Sequence, residues 1–71
     1  MIRLALELRR LGYSQSECAR RAGVNQASLS RIMNGHEPAF PKRGKRIADA
    51  VDWKGNPAEL FEEADEDGTN I

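Results

Sequence analysis

The residue types able to hold a soft metal are scarce here: one histidine, His36, and one cysteine, Cys18. A zinc site takes about four ligands, so this pair is too small to build one. No nucleophile, base and orienting group form an arrangement that reads as catalytic. An enzyme is not expected, nor a metal, a cofactor or a small-molecule ligand. Cys18 falls on the inner face of a helix and reads as a small core hydrophobe. What the chain offers instead is hydrogen bonding backed by positive charge. Gln26, Ala27, Ser28, Ser30 and Arg31 share the outer face of a predicted helix, with no acid among them. Such a face suits a partner that is negative and rich in hydrogen-bonding groups. A second source of charge is Lys42, Arg43, Lys45 and Arg46, at the start of a later helix. Cations there oppose the helix dipole and cost some stability, which suggests a use. Phosphate is the obvious partner, and the amides of that helix end would assist.

These groups need rigid positioning, and the sequence around them is dense in helix signals. Ser14 and Glu17 form a capping box: the hydroxyl accepts from the third helical amide and the carboxylate reaches back to the cap amide. The helix so started carries Cys18, Ala19 and Ala22 inward and stops at Gly23, where a positive φ is expected. Asn25 caps a second helix, Gln26 to about Asn34, closed by Gly35. Val24 sits in the turn, and Leu29 and Ile32, three apart, share the helix's inner face. Two helices of about eight residues are unstable alone, so the pair belongs to a small helical domain. Upstream, Leu4, Leu8 and Leu11 stand at helical spacing in a first helix from Ile2, ended by Gly12, with Tyr13 at the corner. Downstream, a loop runs from His36 to Pro41, and its Phe40 is expected to plug the bottom of the core. The fourth helix continues through Ile47, Ala48, Ala50 and Val51. Asn56, Pro57 and Glu59 open a fifth beyond Gly55, with Leu60 and Phe61 as its apolar stripe and Trp53 before it.

The stretch SQSECARRAGVNQASLSRIMNG resembles the helix-turn-helix of the phage Cro/repressor-like DNA-binding family. The residues that carry the resemblance are Ser14-Gln15, Glu17, Ala19, Gly23-Val24, Asn25-Gln26, Leu29-Ser30-Arg31 and Asn34-Gly35. Farther on, PKRGKRIADAV is similar to a stretch of the Ner-like regulators of transposing phages. The resemblance implies an all-α fold, a compact bundle of about five short helices like the lambda-repressor DNA-binding domain. Its helix-turn-helix spans residues 14–34. The domain covers 1–63, and 64–71 reads as a disordered acidic tail. In one place the chain departs from the family. Members commonly carry an acid before the Asn-Gly that ends the recognition helix, paired with a base of helix one. Here those positions hold Met33 and Leu8, and two apolar partners can replace a buried ion pair without loss.

The resemblance also implies a mode of binding. The second helix of the motif enters the major groove with its N-terminal residues nearest the base edges. Those are Asn25, Gln26, Ala27 and Ser28, with Arg31 one turn on. Gln26 can bond N6 and N7 of adenine, Arg31 can bond O6 and N7 of guanine, and Ala27 suits a thymine methyl. Candidate phosphate contacts are Ser14, Gln15, Arg20 and Asn34 around the motif, and Lys42, Arg43 and Lys45 in the basic cluster. In the family, a Gln at the position of Gln15 touches a phosphate and braces the recognition helix. So few readers specify only a few base pairs, so useful discrimination needs two copies or help from DNA shape. Trp53, Leu60 and Phe61 form a candidate homodimer surface.

The whole chain of 71 residues is formally neutral, but its halves are not. Residues 1–46 hold ten Lys/Arg against Glu7, Glu17 and Glu37, a net of plus seven. Residues 47–71 hold only Lys54 against eight acids, a net of minus seven. This asymmetry suggests a side that faces nucleic acid and an acidic tail. One cysteine excludes an internal disulfide, and no apolar run approaches the ~20 residues of a membrane span. A cytoplasmic protein without membrane contact is expected. The function indicated is sequence-specific double-stranded DNA binding by a small phage-type transcriptional regulator, a repressor or Cro-like protein. The alternatives are a DNA-binding module of an antitoxin or transposition system, and a protein-interaction domain.

Overall fold

A leucine stripe fixes the first helix. A computed structural model describes residues 1–64 of the chain. Helix α1 (Arg3–Leu11) buries Leu4 and Leu8, and Gly12 ends it in the left-handed region at φ 75°. Helix α2 (Gln15–Ala22) buries Cys18, Ala19 and Ala22. Helix α3 (Gln26–Met33) buries Leu29 and Ile32, with Asn34 as its C-cap. Helix α4 (Arg43–Ala50) buries Gly44, Ile47 and Ala48. α2 packs against both α3 and α4, so the centre of the domain is the helix that opens the motif. The core closes on Leu4, Leu29, Ile47, Val51 and Leu60. No helix among the described residues is long and apolar enough to cross a membrane.

Among the described residues four α-helices stand where about five short helices were expected, because the last element is a 3-10 turn, Pro57–Phe61. Asn56 caps it as expected, Oδ1 accepting from the Ala58 amide at 3.0 Å. The turn buries only Leu60, and Glu62 already has extended geometry at ψ 155°. The chain is drawn out into pairing with its own start. The Arg3 amide donates to the Glu62 carbonyl at 3.0 Å, and the Ala64 amide to the Met1 carbonyl at 3.0 Å. These two bonds frame a single antiparallel bridge between Ile2 and Glu63. Both α1 and α4 pack against the turn, so it locks the two ends of the domain together. Apart from Ala64, the acidic tail expected at 64–71 lies outside the described residues.

Two further expectations are corrected. Phe40 does not plug the core: it is 40% exposed. Its ring lies over Gly44 of α4 and meets Phe61 edge to face, with centroids 5.7 Å apart. The neighbouring Ala39 is the buried residue of that loop. Leu60 cannot be part of a dimer surface, because it is 0% exposed within a single chain. Trp53 and Phe61 remain half-buried at the edge of the core.

Candidate nucleic-acid interface

The interface begins with the caps that set α2 and α3. Ser14 Oγ accepts from the Glu17 amide at 3.0 Å, which forms half of the expected capping box. The other half is absent. Glu17 turns instead to the guanidinium groups of Arg20 and Arg21, one turn along the same helix. Two charge-assisted bonds at helical spacing outweigh one bond to an exposed, neutral amide. Arg20 and Arg21 together hold the Glu17 carboxyl below its ordinary value, with the Arg20 hydrogen bond the largest cause. Arg21 also lies over the Tyr13 ring, 4.5 Å from its centroid, a cation–π contact that settles Tyr13 at the corner.

Gly23 at φ 70° makes the turn into α3. Asn25 then caps α3, its Oδ1 accepting from the amides of Ala27 and Ser28 at 2.8 and 3.4 Å. The other end is closed by Gly35 at φ 78°, with the His36 amide donating to the Arg31 carbonyl at 2.8 Å. Between these ends Asn25, Gln26, Ala27 and Arg31 are exposed and Ser28 is half-buried. Gln15 Nε2 reaches Met33 Sδ at 3.0 Å, tying the start of α2 to the end of α3. Leu8 is buried and Met33 is half-buried against the core, as two apolar replacements for an ion pair should be. Burial pushes the Cys18 thiol up, in keeping with a core role.

A family model described as helix-turn-helix matches residues 2–51, most of the chain. The chain belongs to the Cro/repressor-like helix-turn-helix family. No curated protein and no solved structure matches it. Membership makes α2 and α3 the helix-turn-helix of a DNA-binding domain.

In this Cro/repressor-like domain the candidate residues sort by what already holds them. Ser14 and Asn34 are exposed and Gln15 is half-buried at the rim of the motif. Arg20 is exposed but bonded to Glu17. Lys42 and Lys45 are exposed and form no ion pair among the described residues. Arg43 differs from them. It is half-buried, and its Nη1 donates to Glu37 Oε2. Arg31 Nε donates to the other oxygen, Glu37 Oε1, at 2.8 Å. One carboxylate thus joins α3 to the start of α4. The two arginines hold the Glu37 carboxyl below its ordinary value, with the Arg31 hydrogen bond the largest cause.

In the sequence Glu37 stands out only as a charge. It stands six residues from each arginine, a spacing that no helix brings together. The signal available was Gly35, which turns the chain sharply and brings the following loop back beside α3. The α4 amides also differ from expectation. Those of Arg43 and Gly44 donate to the Ala39 carbonyl at 2.9 and 2.8 Å. These two amides are therefore not free to hold an anion.

Proposed function

We propose that the protein is a sequence-specific double-stranded DNA-binding regulator of phage type, a repressor or Cro-like protein, acting in the cytoplasm with α3 in the major groove. The observation that carries this reading is the outer face of α3. It is exposed, free of acids, capped at its leading end by Asn25, and presents Gln26 and Arg31 on successive turns. Gln26 pairs with adenine and Arg31 with guanine, while Asn25, Ala27 and Ser28 line the base edges beside them. Ser14, Gln15 and Asn34 take phosphates on either side of the groove, and Lys42 and Lys45 take them farther along. Arg20 and Arg43 add positive charge while remaining paired with Glu17 and Glu37. Two copies on a two-fold site would double the number of bases read. Trp53 and Phe61, together with the exposed Phe40, are the apolar residues available for that contact.

Selection of bound duplexes from a random pool, followed by a salt titration on the winner, tests the reading. A recovered motif, and affinity that falls with salt at a slope near −0.9 for each of about four to six phosphates per chain, supports it. Affinity that does not change between low and physiological salt overturns it.

A further inference from the structure

We propose that Glu37 is a positioning residue for recognition: it orients the Arg31 guanidinium and so sets the sequence preference of α3. The inference rests on the DNA-binding reading above. Arg31 would otherwise be a long side chain with many rotamers, 54% exposed at the surface. Glu37 removes that freedom. Its Oε1 accepts from Arg31 Nε at 2.8 Å, while Oε2 is held by Arg43 on α4. Arg31 Nη2 has a second neighbour, Ser28 Oγ, at 3.4 Å. The carboxylate itself is mostly covered, with 20% of its side chain exposed, so its position is set by two helices.

The choice of nitrogen has a chemical consequence. A guanidinium offers two bidentate edges, one through Nε and one through the paired Nη groups. Glu37 occupies the Nε edge. Among the described residues the terminal edge meets no carboxylate, its Nη2 reaching only Ser28 Oγ, and that edge matches O6 and N7 of guanine. A guanidinium fixed before binding loses less entropy when it meets the base, and it meets only a base in the matching place. Glu37 also carries negative charge beside a surface that must approach phosphates. It therefore weakens attraction to every sequence while sharpening preference for one.

The two effects can be separated with Glu37→Gln, an isosteric change that removes the charge. Affinities are measured by competition for the selected duplex and for one with its guanine contacts replaced, in wild type, Glu37→Gln, Arg31→Ala and the double variant. Melting curves without DNA accompany them. The expected result is stronger binding of the replaced duplex, by about two- to fivefold, and a preference for the selected duplex reduced about tenfold. In the Arg31→Ala background, Glu37→Gln should leave the preference unchanged. Equal shifts on both duplexes would show a purely electrostatic or structural role and overturn the proposal. If Arg31→Ala lowers the preference and Glu37→Gln does not, the proposal fails while the DNA-binding reading stands. If the wild type binds neither duplex, both fail.

Discussion

Asn25 Oδ1 accepts from the Ala27 amide at 2.8 Å, so the residue at the leading end of the recognition helix is also its cap. The two roles have different chemical requirements. Capping needs an acceptor oxygen, which Asp and Ser also supply, whereas a base edge in the major groove distinguishes amide from carboxylate. Asn25→Ala should lower stability by about 1 kcal/mol without DNA. Asn25→Asp should keep that stability and weaken binding to all duplexes through its charge beside phosphates. Urea melts and a binding titration on both variants check the pair. If Asn25→Ala melts like the wild type, the cap contributes nothing.

Glu17 and Glu37 tie the acid limb of stability to their arginines. Both carboxyls are held below the ordinary value of 4.5 in the folded chain. A group whose folded value is lowered stabilises fully above its unfolded value, and that contribution is lost as pH falls through the folded one. The melting temperature of the wild type should therefore decline more steeply below about pH 4.5 than that of Glu17→Gln/Glu37→Gln. Parallel curves for the two proteins would exclude the linkage.

Gly44 leaves room for an aromatic ring on the surface of α4. A Cβ there would stand 2.5 Å from Phe40 Cζ, so the ring must move away. Losing its edge contact with Phe61 costs about 0.5–1.5 kcal/mol. Alanine in place of a helical glycine returns about 0.5–1 kcal/mol. Gly44→Ala should therefore change stability by no more than about 1 kcal/mol, while the Phe61 ring resonances shift. A loss of several kcal/mol would show that the ring cannot leave.

Asp52 follows α4 with φ 56°, a conformation that L side chains rarely adopt. Aspartate tolerates it better than most, so Asp52→Gly should be neutral or stabilising by up to about 1 kcal/mol. Asp52→Val, with a branched Cβ, should cost about 1–2 kcal/mol. The Lys54 partner is exposed and contributes little to either result. Equal melting of the two variants would contradict the assignment of strain to this position.

What was legible in the sequence was local. The caps Ser14, Asn25 and Asn56, the stops Gly12, Gly23 and Gly35, and the leucine and alanine faces each depend on neighbours within a turn or two. Those features fix α1, α2 and α3 nearly to the residue, and the exposed face of α3 follows from them. What was not legible depends on contacts across the chain. The bridge of Ile2 with Glu63 involves one residue pair, too short to leave an alternating pattern, so the final segment read as helix. Phe40 read as core because it is large and apolar, yet Ala39 is the one whose position points inward. Glu37 counts in the sequence only as a charge because its partners lie beyond a turn on both sides. Local spacing also misjudged Glu17, where two arginines compete with the cap amide.

The central claim is that α3 reads bases while the start of α4 holds phosphates. Gln26, Lys42 and Lys45 are exposed, so alanine at any of them should alter stability by no more than about 0.5 kcal/mol, and Arg31→Ala, which also loses its surface ion pair with Glu37, by no more than about 1 kcal/mol. Competition titrations of each variant with the selected duplex and a scrambled one, repeated at several salt concentrations, provide the most direct test. Gln26→Ala and Arg31→Ala should cost about 1–3 kcal/mol on the selected duplex and relax preference at one or two base pairs. Lys42→Ala and Lys45→Ala should weaken both duplexes alike and reduce the salt slope by roughly one. Equal weakening of both duplexes by Gln26→Ala and Arg31→Ala would contradict the account and place the reading face elsewhere on the domain.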